Sequence, residues 1–145
     1  MVIIEKIYAW GHENILCTHR TTIEITKNAY LTKKGNCVLA VKASKACYDL
    51  TPDLKNQIKS GNRFKIILKV GEEQDYFYGF GNKELNLLDK NDMVFRKSVF
   101  ICERTVLINC SKSSKELSRK LIDNLKHPKK KLTITFKVDE SKERK

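Results

Sequence analysis

Donor side chains that could bind an anion are concentrated in one loop near the start of the chain. The loop holds two of only three histidines in the 145 residues, and arginine, threonine and lysine follow within a few positions. Imidazole, guanidinium, hydroxyl and ammonium groups can all donate hydrogen bonds to phosphate oxygens. The sequence therefore predicts a candidate anion site whose members are His12, His19, Arg20, Thr21, Thr22 and Lys27.

The same loop admits two other kinds of site and one structural interpretation. His12, Cys17 and His19 carry metal-ligand groups, but their spacing matches no standard zinc site, so neither a metal nor another cofactor is predicted. Cys17 could serve as a nucleophile only if folding placed a histidine and an orienting group beside it. Thr21 and Thr22 also suit the start of a strand, as β-branched residues do. These alternatives leave open whether the protein is an enzyme.

A second feature with chemical consequences is the excess of positive charge. The chain has 29 Lys and Arg against 17 Asp and Glu, a formal net charge of +12, and such a field attracts polyanions. We therefore expect contact with RNA or a ribonucleoprotein assembly, directed at phosphates and sensitive to salt. The candidate contact residues are Lys33, Lys34, Lys126, Lys129, Lys130 and Lys131.

The elements that must position these groups repeat along the chain. When the second part of the sequence is aligned with the first, Tyr78 falls on Tyr8, and Leu121 falls on Leu54. The order of the matches is kept throughout, which indicates an internal duplication. The two repeat units are residues 2–70 and 72–138.

Aromatic residues recur at equivalent strand positions of the two units. Tyr8 and Trp10 in the first unit correspond to Tyr78 and Phe80 in the second. Because positions that recur are those the fold requires, we expect these four side chains to belong to the core. No aromatic platform for stacking RNA bases is predicted.

Each unit is predicted to contain three strands, a helix and a fourth strand. Thr51 before Pro52 indicates the start of the first helix. Ser113 and Glu116 have the spacing of a capping box for the second helix, which Pro128 ends. The strands are predicted at residues 3–10, 21–26, 37–43, 63–70, 76–80, 93–97, 105–110 and 132–138.

This order of elements predicts an α+β fold that is mostly β. Units of this size cannot bury a sheet face alone, so the two should share one core in a single domain of residues 1–138. By analogy with barrels built from duplicated halves, we predict a pseudo-twofold barrel of the double-psi or cradle-loop kind, with both helices packed outside. The alternative is a curved sheet covered by two helices. The charged tail, 139–145, is predicted to be disordered.

Cysteine usage and hydropathy indicate the compartment. The five cysteines are odd in number and lack CxxC spacing, so they form neither a zinc ribbon nor a disulfide framework. Several should be small buried side chains in a reducing compartment. Apolar runs fall far short of the roughly 20 residues that a bilayer requires, and the start of the chain lacks a signal-peptide pattern. We expect a cytoplasmic protein without membrane contact.

Six short motifs are specific enough to indicate a family. They are Gly11-His12-x-Asn14, Thr18-His19-x-Thr21-Thr22, Lys33-Lys34-Gly35-Asn36-Cys37 and Ser44-Lys45-Ala46 in the first unit, and Arg96-Lys97-Ser98 and Arg104-Thr105 in the second. With these motifs the chain resembles an archaeal family known as domain of unknown function 371. The resemblance covers nearly the whole chain apart from the tail. It implies an archaeal cytoplasmic protein and no particular activity, so no catalytic residue carries over.

Two hypotheses from different functional classes follow. The first is a noncatalytic domain that contacts RNA or an RNA–protein assembly through its basic surface. The second is a protein or enzyme that binds phosphate or a phosphorylated small molecule in the loop from Gly11 to Thr22. The first predicts loss of affinity when lysines are reversed in charge, and the second predicts that the two histidines of the loop converge on one pocket.

Overall fold

The computed structural model describes residues 1–139, and its elements follow the predicted order in both halves. The first half contains β1 (Val2–Trp10), β2 (Thr22–Thr26), β3 (Val38–Ala40), α1 (Pro52–Lys59) and β4 (Arg63–Val70). The second half contains β5 (Glu73–Phe80), β6 (Asp92–Arg96), β7 (Thr105–Leu107), α2 (Arg119–Leu125) and β8 (Lys131–Val138). Short 3₁₀ helices precede the α-helices, at Cys47–Asp49 and Ser114–Glu116. The fold is therefore mostly β with two helices, as predicted.

The strands form two four-stranded sheets. The long-strand sheet is antiparallel with the order β1-β8-β4-β5, and the short-strand sheet has the order β3-β2-β6-β7. In each sheet the central pair joins the two halves of the chain: β8 pairs with β4, and β2 pairs with β6. Gly71, with a φ of 57°, begins the tight turn between β4 and β5. Each half therefore contributes two strands to each sheet.

The predicted barrel of double-psi or cradle-loop type is not supported, because neither sheet closes on itself within residues 1–139. In that part of the chain, the isolated bridges that connect the sheets are Trp10–Val41 and Phe80–Ile108. Directly after each bridge the backbone adopts a positive φ, 54° at Lys42 and 50° at Asn109. The chain turns away there, so the pairing stops after one residue pair. The same turn makes β3 and β7 shorter than predicted.

One hydrophobic core is lined by both sheets and both helices. Phe77 packs edge-on against Phe95 with ring centroids 5.3 Å apart, and Phe95 lies 6.0 Å from Phe136. Phe77 and Phe136 belong to the long-strand sheet, whereas Phe95 belongs to the short-strand sheet. Burial of one such side chain contributes about 1.5–3 kcal/mol. These contacts therefore hold the two sheets together.

The helices begin where side chains cap the backbone. The Thr51 hydroxyl accepts a hydrogen bond from a first-turn N–H of α1, and Pro52 is the first helical residue, as predicted. The predicted capping box at Ser113 is present, but it closes the second 3₁₀ helix rather than α2. Extended backbone at Leu117 ends that turn. The α2 helix therefore starts later than predicted, after Ser118, which supplies its own cap.

One residue beyond β8 is also described. Asp139, the first residue of the predicted tail, is buried and accepts a hydrogen bond from Arg63 at 3.2 Å. The rest of the predicted disordered tail, 140–145, lies outside the described residues. No helix within residues 1–139 is long and apolar enough to cross a membrane.

The five cysteines are free thiols. Three of them, Cys17, Cys47 and Cys110, are buried, which agrees with the prediction of small core side chains. Burial raises the pKa of Cys17 to about 11 and the pKa of Cys110 to about 12. Cys102 differs: burial opposes its ionisation, but backbone and side-chain hydrogen bonds, one of them from Arg96 at 3.4 Å, outweigh burial and lower its pKa.

Candidate functional site

The histidines of the predicted anion site hold backbone turns. The Nδ1 atom of His19 accepts hydrogen bonds from the N–H of Thr21 at 3.1 Å and of Thr22 at 3.3 Å. The Nδ1 atom of His12 accepts from the Asn14 N–H at 3.0 Å. An acceptor at Nδ1 requires the proton of the neutral ring to be on Nε2. Each imidazole therefore has a structural use that explains its place in the loop.

The equivalent turns of the second half use carboxylate and amide oxygens. Asp89 takes the place of His19, and its Oδ2 accepts hydrogen bonds from the N–H of Asn91 at 3.1 Å and of Asp92 at 2.7 Å. Asn82 takes the place of His12, and its Oδ1 accepts a hydrogen bond from the N–H of Glu84 at 2.8 Å. The two halves thus form the same turns with different acceptor groups.

The predicted anion ligands are divided between different neighbours. The N–H of His12 donates to a carbonyl at the end of α2 at 2.9 Å, whereas the carbonyl of His19 accepts from an N–H in the second 3₁₀ helix at 3.0 Å. Lys27 forms a salt bridge with Asp49 at 2.6 Å. Arg20 is exposed. An anion site in this loop stays a prediction, and Lys27 is already paired elsewhere.

The repeated Ser–Lys pairs brace strands in both halves. In each half the serine hydroxyl accepts an N–H of the first strand of that half, at 3.0 Å for Ser44 and 2.9 Å for Ser111. The lysines form the salt bridges Lys45–Glu5 at 2.5 Å and Lys112–Asp75 at 2.6 Å. The contacts support the scaffold interpretation of these residues rather than a role in phosphate binding.

Aromatic side chains lie on the outward face of the long-strand sheet. Tyr8 is 40% exposed, Tyr76 is 44% exposed and Phe80 is 38% exposed. Trp10 and Tyr78 share this face and are half-buried. The prediction that aromatics at these recurring positions form the core is therefore wrong. Strand alternation gives the core to the residues between them, and the aromatic positions point to solvent.

Positive charge dominates the same outward face. The outward positions of β1, β8, β4 and β5 contain no Asp, Glu, His or Cys. Their cations are Lys6, Arg63, Lys65, Lys69, Lys131 and Lys137. Four of these lysines line a shallow cavity of about 600 Å³ with Thr133 and Thr135. Ammonium and hydroxyl groups are suitable donors for phosphate oxygens.

Cations form cation–π contacts with the aromatic rings of this face. The Nζ atom of Lys65 lies 4.3 Å from the ring centroid of Tyr76. The guanidinium of Arg63 lies 4.5 Å from that of Tyr78. At the opposite edge strand, the Nζ atom of Lys131 lies 4.8 Å from the ring centroid of Tyr8. Such pairs contribute roughly 0.5–1 kcal/mol at exposed sites, and they place positive charge beside accessible aromatic surface.

The predicted RNA-contacting lysines fall into two groups. One group adjoins the outward face, in the exposed loop between α2 and β8 and at the first residue of β8, and comprises Lys126, Lys129, Lys130 and Lys131. The loop contacts the end of β1 through a hydrogen bond from the Gly11 N–H to the carbonyl of Lys130 at 3.0 Å. The other group, Lys33 and Lys34, is exposed in the loop before β3.

Sequence reasoning missed Lys6, Lys65, Lys69 and Lys137 as members of the basic outward face. The alternation of lysine or threonine with apolar residues in β4 and β8 was a usable signal, since it places these lysines on one wet face. What could not be predicted is the register of β1 with β8 and of β4 with β5. That register brings the tyrosines of the edge strands onto the lysine face.

A charge cluster with buried carboxylates and a partly exposed arginine crosses the short-strand sheet. Arg104 donates to Asp92 at 2.9 Å and lies 3.5 Å from Glu24. The thiol of Cys37 donates to Glu24 at 3.3 Å. Burial, and next the charge of Asp92, raise the pKa of Glu24. Sequence reasoning missed this cluster because its members come from separate segments of the two halves.

Comparison with known sequences agrees with the resemblance found in the motifs. The profile of a family described as "Domain of unknown function (DUF371)" matches residues 7–139. The chain is also 38% identical over 132 residues to the uncharacterized protein MJ0206 of the archaeon Methanocaldococcus jannaschii, and the match covers 91% of this chain and 96% of that protein. The predicted family is therefore confirmed, and this chain belongs to the DUF371 family.

Proposed function

We propose that this protein binds RNA through the outward face of its long-strand sheet. The observation that supports this function is the composition of that face: six cations, exposed aromatic rings and no carboxylate at the outward positions of the four strands. An unbalanced positive surface attracts the phosphate backbone. The lysines of the neighbouring α2–β8 loop extend the same charge.

The proposed role is binding rather than catalysis. Lys69 and Lys137, which line the cavity, can contact phosphates, and Thr133 and Thr135 can donate hydrogen bonds beside them. The outward positions of the four strands carry no carboxylate, histidine or cysteine that could act as a general base. Phosphate contacts of this kind fix position without reading sequence, so weak sequence preference and strong salt dependence follow.

Charge reversal within the cavity tests the proposal. The double variant Lys69→Glu/Lys137→Glu is titrated with fluorescein-labelled RNA at several salt concentrations, and affinity is measured by fluorescence anisotropy. We expect affinity to fall roughly tenfold or more. The slope of log K against log salt should become shallower by about 0.7 for each phosphate that the variant no longer neutralises.

The matched control makes the same charge change away from the sheet. Lys59→Glu/Lys120→Glu reverses two exposed lysines on α1 and α2. Its net charge equals that of the cavity variant, so a loss caused by overall charge alone would appear equally in both. Equal affinities and equal salt slopes for the two double variants would contradict binding at the outward face.

We also infer that the two halves derive from one duplicated segment. Residues with unusual backbone conformation occur in pairs at equivalent places of the two units. Cys17 and Leu87 form one pair, with φ of 50° and 56°, and Lys42 and Asn109 form another, with φ of 54° and 50°. An experimental structure should superpose the halves by a half-turn rotation, and mismatch at these pairs would contradict the inference.

A further inference from the structure

We propose that the RNA bound on this face is single-stranded and that its bases stack on Tyr8 and Tyr76. The inference rests on the proposed function and specifies the class of RNA. Three features of the outward face support it: the places of the two rings, their exposure, and the cations beside them.

The rings lie on the two edge strands, and a lysine and two threonines of the central strands lie between them. Tyr8 belongs to β1 and pairs with Thr133 of β8, which pairs with Lys69 of β4. Tyr76 belongs to β5 and lies in the same row of the sheet as Thr135 of β8. Three inter-strand spacings, roughly 14 Å, separate the edge strands. A single strand of RNA that crosses the sheet can therefore place phosphates over Lys69 and the central threonines and bases over the edge rings.

Both rings have accessible apolar surface. They are 40% and 44% exposed, whereas their inward neighbours Ile7 and Phe77 are buried in the core. A stacked base removes the exposed ring surface from water. Because every base has a π face, such stacking needs no particular sequence. This agrees with the weak sequence preference expected from phosphate contacts.

Each ring has a cation where a nucleotide would bring its phosphate. Lys131 Nζ lies 4.8 Å from the ring centroid of Tyr8, and Lys65 Nζ lies 4.3 Å from that of Tyr76. Lysine side chains are flexible, so each ammonium can move from the ring to the phosphate of the nucleotide that stacks there. The ring and the cation then contact the same nucleotide.

A duplex cannot use the rings in this way. Its bases are already stacked on one another, and an A-form helix presents phosphates and 2′-hydroxyls to a protein. A duplex would therefore contact the cations of the face without the tyrosines. Preference for single strands, and dependence of that preference on aromatic rings, distinguish this binding mode from general attraction to polyanions.

The experiment compares two RNA probes on a matched set of variants. The probes are an unstructured RNA of about 12 nucleotides and the duplex that it forms with its complement. Tyr8→Leu and Tyr76→Leu remove a ring, and Tyr8→Phe keeps it. Tyr30→Leu is the control, because Tyr30 is 79% exposed in the loop after β2, a strand of the other sheet.

We expect each Leu variant to bind single-stranded RNA roughly 5- to 150-fold more weakly, which corresponds to the loss of one stacked base. Duplex affinity should not change, and Tyr8→Phe and Tyr30→Leu should bind like the unmodified protein. Trp10, the single tryptophan of the chain, lies on the same face of β1. The fluorescence emission of this tryptophan in the unmodified protein should change when single-stranded RNA binds. This measurement tests the inference even if a Leu variant is too unstable to measure.

The other outcomes separate this inference from the proposed function. Equal binding of both probes, unaffected by the Leu substitutions and without a change in Trp10 emission, would overturn single-strand stacking and leave RNA binding at the lysine face intact. Binding of neither probe by the unmodified protein would overturn both.

Discussion

The turn at His19 and the turn at Asp89 have the same hydrogen bonds and different chemistry. Each side chain accepts two backbone N–H groups at the entrance to a strand of the short-strand sheet. An imidazole nitrogen and a carboxylate oxygen are therefore interchangeable as acceptors at this place. A residue type found in only one half is not by itself a sign of function, because the fold can require the acceptor without requiring the residue.

The recurring aromatic positions show that a position shared by both halves need not be buried. Tyr8 and Tyr78 recur at the same place in the two halves, which suggested that the fold needs them in its core. Both instead lie on the outward face of the long-strand sheet. Recurrence shows that a position is shared, and only burial shows whether packing requires it. Shared and exposed aromatics beside cations are better candidates for binding than unshared histidines that hold turns.

Substitution of Gly11 and of Gly81 should have the largest effects in a test of whether the two halves are equivalent. A Cβ on Gly11 would collide with the carbonyl oxygens of Leu125 and His127, and a Cβ on Gly81 would collide with the carbonyl oxygen of Ile58. Because backbone atoms cannot yield cheaply, Gly11→Ala and Gly81→Ala should each lose roughly 3 kcal/mol or more of unfolding free energy, or fail to fold. Urea denaturation measures the loss.

Substitutions two residues further along provide the control for the glycines. Glu13→Ala and Lys83→Ala change exposed side chains of the same turns and should stay within about 0.5 kcal/mol of the unmodified protein. If only one of the two glycines proved sensitive, the packing of helix ends on strand ends would differ between the halves.

The halves differ at the charge cluster, which has no second copy within residues 1–139. The place equivalent to Glu24 is Val94, and the place equivalent to Arg104 is Cys37. Arg104→Met leaves two buried carboxylates without their cation, so we expect a loss of about 2 kcal/mol, less than for a fully buried pair because the arginine is half exposed. Arg20→Met, at an exposed arginine, should be nearly neutral in the same denaturation series.

The cluster also gives a pH dependence of known sign. The pKa of Glu24 is raised above its ordinary value of 4.5. The folded state therefore holds this proton more tightly than the unfolded state, and the contribution of Glu24 to stability falls as pH rises from 4.5 through the folded pKa. Glu24→Gln should flatten that decline in denaturation curves measured across this range, and an unchanged decline would assign it to other groups.

Exchange of acceptors tests the two turns directly. His19→Ala should cost about 1 kcal/mol, because two N–H groups lose their partner. His19→Asp, which installs the acceptor used in the second half, should restore most of this stability. RNA affinity should be unchanged in His19→Ala, which adds no negative charge. A large loss of affinity in this variant while it stays folded would show that the imidazole itself contacts the ligand.

Local signals in the sequence predicted most strands and the first helix, because they act within one element. Thr51 and Pro52 define where α1 begins, and the alternation in residues 63–70 defines β4. Long-range pairing could not be predicted in this way. The start of α2 depends on whether the Ser113 box closes a 3₁₀ or an α turn, and the ends of β3 and β7 depend on positive φ values that no residue type there requires.

The sequence predicts a kind of partner, which stays a prediction, but it does not predict which residues share the proposed surface. Net charge indicated a polyanion partner, and this part of the reasoning needs no coordinates. Which lysines share a surface depends on the pairing of β8 with both β1 and β4, which are far from β8 in the sequence. Sequence reasoning therefore favoured lysine clusters that are contiguous in the chain, such as Lys129 to Lys131, over lysines such as Lys69 and Lys137 that meet only in the sheet.

The smallest expected effect concerns the carboxylates of the two 3₁₀ helices. Burial opposes ionisation of Asp49, but hydrogen bonds from Lys27 and from the Ala46 N–H outweigh it and lower its pKa below 3.8. In the second half, two hydrogen bonds lower the pKa of Glu116 to about 2. The larger effect comes from Lys97 and the smaller from a backbone N–H.

For both carboxylates the folded pKa is depressed, so their stabilisation is present above the ordinary pKa and is lost as pH falls toward the folded value. Lys27→Met should raise the pKa of Asp49, and Lys97→Met should raise that of Glu116, as measured by NMR titration of the carboxyl carbons. Because both pairs are near the surface, global stability at neutral pH should change little. If only one carboxyl responded, the two halves would share the backbone of this turn but not its electrostatics.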